Sequence, residues 1–143
     1  MKVSRIENKY ADLLRKAGFK ATQSKVQLLS ILAKSKKPLS VDGIYSEFVE
    51  SAADIATVYR SIKEFLAAGL IKQINFQHGH GHYEFAGLED HHHFICSQCG
   101  KVEDIDNCDL DSIIKKAVKN SANFKQVTGH SFELFGLCGK CTL

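Results

Sequence analysis

The sequence predicts an α+β chain, an N-terminal winged helix-turn-helix followed by a small α/β domain with a four-cysteine zinc site. Three observations lead there. Apolar residues recur at helical spacing through the first 70 positions and then give way to a hairpin pattern. Two CxxC pairs lie in the second half, Cys96–Cys99 and Cys138–Cys141. Residues 1–76 carry a net charge of +6 and residues 77–143 a net charge of −3, so a basic half is joined to an acidic, Cys- and His-rich one.

Four helices fit the first half. Ile6, Tyr10, Leu13, Leu14 and Ala17 share one helical face, and Gly18 ends that stretch. Thr22 can cap a second helix that buries Val26, Leu29 and Leu32, and Pro38 blocks its continuation. Ser40 can cap a third, with Ile44, Phe48 and Val49 inward. Asp54 can cap a fourth, with Val58, Ile62, Phe65 and Leu66 inward and Gly69 as its terminator. Leu70, Ile71, Ile74 and Phe76 then suggest a strand, HGHGH a turn, and HYEF a returning strand. That order is a winged helix, with the fourth helix placed to enter a major groove. Its outward residues are expected to be Thr57, Tyr59, Arg60, Ser61 and Lys63, of which Arg60 and Lys63 suit phosphates or guanine and Thr57 and Tyr59 thymine methyls; a plain solvated helix face is the other reading.

The second half reads β-β-α-β. HHHFICSQCGKVEDID gives two short strands around the CSQC turn, and DLDSIIKKAVKNS an amphipathic helix with Leu110, Ile113, Ile114 and Val118 on one side. FKQVTGHSFELFGLC reads as a long strand interrupted near Gly129. The domain boundaries expected are 1–83 and 84–143. A domain of about 60 residues buries little core and usually needs a metal or a partner subunit.

No run of 18 apolar residues is present, and the charged first 16 residues lack the apolar centre of a signal peptide. A cytoplasmic protein with no membrane partner is expected. Thiols stay reduced there, so five cysteines read first as metal ligands. Two CxxC turns present four thiolates to one tetrahedron, the usual structural zinc arrangement, closed to catalytic water. A redox dithiol and an iron–sulfur cluster are the competing readings. Cys108 falls outside the pattern as a partly buried, inert thiol.

Six of the seven histidines fall between positions 78 and 93. If the tract from Asp90 to His93 is extended, His91 and His93 face one side and Asp90 and His92 the other. Glu84 and Asp104 can complete the first set, Asp111 and His130 the second. Such ligands suit Fe(II), Mn(II), Zn(II), Co(II) or Ni(II) without selecting among them.

The segments GFKAT at 18–22, ATVYRSI at 56–62, HHHFICSQCGKVED at 91–104 and GHSFELFGLCGKC at 129–141 resemble the ferric uptake regulator family from Gly18 to Cys141. The resemblance implies a homodimer whose winged helices grip a near-palindromic double-stranded DNA operator when a regulatory metal is bound, usually repressing. It implies that the second domain dimerises. It makes Lys20 a minor-groove residue and Tyr59 and Arg60 major-groove readers. Cys96, Cys99, Cys138 and Cys141 match structural zinc ligands. Glu84, His91, His93 and Asp104 match a regulatory site, and Asp90, His92, Asp111 and His130 an additional one, with the usual His and Asp types exchanged at 90 and 92.

Two positions depart from the family pattern. A histidine that commonly joins the regulatory site just before the third helix is replaced by Pro38, and an arginine often found at position 25 is Lys25. HGHGH is open to two readings: His78, His80 or His82 supplies the lost ligand, or the segment is an exposed loop. The resemblance favours an iron-responsive regulator that is not an enzyme and takes no small-molecule substrate. Zinc-, nickel- and peroxide-sensing members are the alternatives. A zinc hydrolase is a distant one, since no HExxH or deaminase signature occurs.

Overall fold

The computed structural model describes residues 5–48, 53–77, 79–88, 91–106 and 108–142. Val49, His78 and Asp90 and the side chain of Ile6, all singled out above, lie outside the described residues. Two compact units form, Met1–Glu89 and Asp90–Leu143. No helix is long and apolar enough to cross a membrane among the described residues.

The first unit contains helices α1 (Arg5–Lys16) and α2 (Gln23–Lys34), strand β1 (Leu39–Ser40), helices α3 (Val41–Ser46) and α4 (Ile55–Ala67), and strands β2 (Ile71–Asn75) and β3 (Gly81–Phe85). Each expected cap is made. The side chains of Thr22, Ser40 and Asp54 accept from the amides of Lys25, Gly43 and Thr57 at 3.4, 3.1 and 2.7 Å, satisfying donors that the first helical turn leaves unpaired. At the far end of α4 the amides of Gly69 and Leu70 bond to Leu66 and Phe65, a Schellman closure. That closure needs the positive φ of +72° that Gly69 adopts.

Leu14, Leu28, Leu29, Leu32, Ile44, Val58, Ile62 and Phe65 form the core, all nearly solvent-free. Each such side chain contributes roughly 1.5–3 kcal/mol relative to exposure. Ala17, expected inward, is exposed, because it lies past the last turn of α1. The sheet runs β1-β3-β2, antiparallel throughout. Tyr83 and Phe85 pack on the core, so the intervening His82 and Glu84 face the other side of the sheet. Helices α3 and α4 with this three-stranded wing make the winged helix-turn-helix.

The second unit holds strands β4 (His92–Cys96) and β5 (Val102–Ile105), helix α5 (Leu110–Asn120) and strand β6 (Glu133–Gly136). The sheet order is β5-β4-β6, with β4 antiparallel to β5 and parallel to β6. The parallel pair requires a long crossover, which α5 supplies. One expectation is corrected here. The stretch from Phe124 to Cys138 is not one long strand; only Glu133–Gly136 pairs, and residues 124–132 are irregular. Within this unit Ile95 and Cys96 are the buried hydrophobic residues among those described, and α5 buries none of its residues. So small a core fits a unit that depends on something beyond its own packing.

Candidate metal centres and nucleic-acid interface

Helix α4 turns Val58, Ile62 and Phe65 into the core, and with them Ser61, which was expected outward but lies next to Ile62 and three residues from Val58, on the buried side of the helix. Helical spacing therefore sends Tyr59, Arg60 and Lys63 outward, and Tyr59 is 55% exposed. Thr57 is half-buried, and its hydroxyl accepts from Arg60 Nη2 at 3.3 Å. The hydrogen bonds from Thr57, side chain and amide, hold the Asp54 carboxyl below its usual range, so the cap is ionised and complements the N-terminal end of the helix dipole. Lys20 is exposed in the loop before α2. Lys25 is engaged: its Nζ lies 2.6 Å from Glu64 Oε2 and 4.7 Å above the Phe19 ring. The role of Glu64 was not read from sequence, since it lies 39 residues away and nothing local marks the pairing.

In the second unit the four cysteines of the CxxC pairs converge, all sulfurs lying within 4.8 Å of one another. The turn after β4 closes when the amide of Gly100 bonds to Cys96 O at 2.9 Å, and the second when the amide of Cys141 bonds to Cys138 O at 2.8 Å. Strand β6, parallel to β4, delivers Cys138 beside Cys96. Cys99 and Cys138 Sγ are 3.7 Å apart. Four thiolates around one zinc at about 2.3 Å need sulfurs about 3.8 Å apart, so the donors fit the ion in chemistry, number and spacing.

The thiols are unequal. Amide hydrogen bonds from Cys99 and Cys138 bring Cys96 down to about 6. The amide of Lys140 lowers Cys138. Burial and the three neighbouring sulfurs push Cys141 up to about 12. Crowded thiolates repel, and a cation at their centre relieves that repulsion. Cys108 is a half-buried free thiol outside the group.

Strand β4 presents its histidines on alternate faces. The rings of His91 and His93 stand edge to face with centroids 4.8 Å apart. His93 is directly across the β4–β5 ladder from Asp104, its Nε2 3.8 Å from Asp104 Oδ1. Burial, with His91 adding to it, lowers the His93 pKa while Asp104 opposes. The imidazole is thereby biased to the neutral, ligating form. On the opposite face His92 Nε2 and His130 Nε2 are 2.9 Å apart, and Phe132 meets the His92 ring edge-on. Asp111 is exposed in the first turn of α5 and belongs to no converging group of three or more donors among the described residues.

In the first unit Glu84 is a buried carboxylate on β3, paired in register with Lys72. Pro38 is buried next to β1. His82 stacks on Phe76 with ring centroids 3.9 Å apart, and His80 is 4.9 Å from His82. Residues 79–82 are therefore a hairpin end in which the rings of His80 and His82 lie together.

Residues 16–135 match the Ferric uptake regulator family. The ferric uptake regulation protein of Legionella pneumophila is 38% identical over 134 residues, covering 90% of this chain and 95% of that protein. Among solved structures, the ferric uptake regulator of Pseudomonas aeruginosa with manganese is 30% identical with a TM-score of 0.75, covering 94% of this chain and 99% of the other. The ferric uptake regulator of Francisella tularensis with iron is 30% identical with a TM-score of 0.72, covering 87% and 95%.

Proposed function

Because the chain belongs to the ferric uptake regulator family, we propose that it is a homodimeric repressor that binds operator DNA when Fe(II) is held at a regulatory site. The observation that carries this reading is His91 and His93 ring against ring, with Asp104 facing His93 across the β4–β5 ladder and His93 buried and biased to neutrality. Two imidazoles and a carboxylate are a donor set for a divalent transition ion. Glu84, a buried carboxylate on the wing, is the fourth ligand of the proposal. Iron is favoured by the name of the Legionella relative and by the iron-bound Francisella structure.

Zinc in the four-thiolate group would be structural, closing the second unit without taking part in sensing. An additional cation would be held by His92 and His130, with Asp90 and Asp111 as the remaining proposed ligands. The exposed apolar side chains Ile113, Phe124 and Val127 favour burial against a second copy, as the homodimer requires. Lys20 and Arg60 would engage phosphate and base edges, and Thr57 and Tyr59 the thymine methyls.

A bound cation supplies two positive charges that draw the ligands together. The protein's part is to offer the proposed ligands, so that occupancy and DNA affinity are linked. The test is anaerobic selection of binding sites from a random duplex pool with Fe(II), followed by anisotropy with and without a chelator. Fe(II) should raise affinity by roughly tenfold or more, a coupling of ordinary size. No change with Fe(II), Mn(II), Zn(II) or Ni(II) would overturn the reading.

A further inference from the structure

The proposed regulator uses cation ligands on β4, β5 and Glu84, but leaves the end of the wing hairpin unexplained. There His80 directly precedes Gly81, the first residue of β3, and His82 is the second. Their rings lie 4.9 Å apart, tilted by 38°. Two imidazoles bonded to one cation at about 2.0–2.1 Å, roughly 90–110° apart, place their centroids about 4.5–5.3 Å from each other. The pair already has that spacing.

Two features hold it. His82 stacks on the buried Phe76 at 3.9 Å and 15°, which fixes its ring plane and leaves the ring edge, where the nitrogens lie, clear of the stack. Gly81, between the two histidines, is closely packed: a Cβ there would crowd the ends of the Tyr83 and Gln73 side chains, with Gln73 Nε2 2.9 Å away, and those side chains would have to shift. His80 is exposed and His82 half-buried with its Nδ1 sealed from solvent, so Nε2 is the His82 nitrogen that a cation from water would use.

We propose that His80 and His82 form a separate cation site at the wing tip, for a divalent transition ion that favours imidazole, such as Ni(II), Cu(II) or Zn(II). Two neutral imidazoles supply the lone pairs and water fills the remaining positions. The site needs neither the regulatory ligands nor DNA. Because it lies on the basic unit that carries Tyr59 and Arg60, occupancy adds positive charge to that unit and clamps the turn onto β3.

The test is Ni(II) titration of the full-length, zinc-replete protein by calorimetry, with histidine-ring NMR as a second readout. His80→Ala removes one exposed ligand. His82→Phe keeps an aromatic ring against Phe76 and removes the other. The wild type is expected to take up one more equivalent of Ni(II) than either variant, or to bind that equivalent roughly tenfold or more tightly, as two imidazoles exceed one. Sub-stoichiometric Ni(II) should broaden the His80 and His82 resonances together. Equal stoichiometry and affinity in wild type and His80→Ala would overturn the proposal. So would variants that keep every equivalent of Ni(II) but lose the Fe(II)-dependence of DNA binding, which would assign these histidines to regulation. Loss of Fe(II)-dependence in the wild type, with the Ni(II) difference intact, would overturn the regulator reading alone.

Discussion

The Lys25 ammonium rests between two partners, Glu64 Oε2 at 2.6 Å and the face of Phe19 at 4.7 Å. The bridge ties α2 to α4, the helix proposed to read DNA. Glu64 is nearly half exposed, so the pair contributes at most about 0.5 kcal/mol to folding after solvent screening. Its larger effect is on charge. Glu64→Gln should leave the melting temperature almost unchanged and strengthen DNA binding, adding about one phosphate contact to the slope of log affinity against log salt. An unchanged slope would show that Lys25 does not reach phosphate when released.

The proposed reading residues should separate by kind of loss. Lys20→Ala is expected to weaken all sequences alike and to lower the salt slope by about one contact. Tyr59→Ala should instead cost about 1–3 kcal/mol of discrimination at one base position, with less effect on random DNA. Competition binding with single-position operator variants distinguishes the two patterns.

The Asp54 cap predicts an acid-sensitive start to α4. Hydrogen bonds from Thr57 lower its pKa below 3.8 in the folded state. A carboxyl with a depressed pKa adds stability that is fully present above the unfolded value and disappears as pH falls through the folded one. Hydrogen exchange at the Thr57 amide should therefore stay slow down to about pH 4 and accelerate below it. Asp54→Asn, which caps without charge, should remove that pH dependence.

Position 38 offers a gain-of-function test. Leu39 pairs with Tyr83 and Ser40 with His82, so one step back along the same antiparallel register Pro38 comes opposite Glu84. Pro38→His would place an imidazole across the ladder from that carboxylate. Regulatory Fe(II) or Mn(II) affinity should rise by roughly tenfold, consistent with one added ligand. An affinity equal to wild type would remove Glu84 from the proposed ligand set.

Removing zinc should dismantle one unit and spare the other. Structural zinc supplies about 10–16 kcal/mol in small zinc domains, far more than the buried hydrophobic residues Ile95 and Cys96 provide. Chelation or Cys99→Ser should expose the amides of β4, β5 and β6 to exchange while those of α2 and α4 remain protected. Uniform protection after zinc loss would mean that the second unit has another source of stability.

How much of this was legible depended on whether the signal was local. Thr22, Ser40 and Asp54 announced three helix starts because a cap needs only its own next three residues. The cysteine pairs announced their site because thiolate chemistry leaves few alternatives. Strand β1 was not legible, as two residues carry no periodicity and the strand exists only because β3 returns beside it. Residues 124–132 misled because Phe124 and Val127 look like strand residues, yet a strand also needs a neighbour, and these side chains remain exposed. The same limit applies to α5, whose apolar stripe showed which side seeks cover without showing what provides it. Glu64 belongs to the same class: its meaning comes from Lys25, a partner that the chain brings near only on folding.

The parallel pairing of β6 with β4 also sets an order of events during synthesis. Cys96 and Cys99 leave the ribosome first, but Cys138 follows Cys96 by 42 residues. At about 5–20 residues per second, the nascent chain carries an open pair of thiols for some seconds before the matching pair emerges. The whole of the basic unit has been made by then, whereas the other half lacks two of its four thiolates until its closing turn arrives.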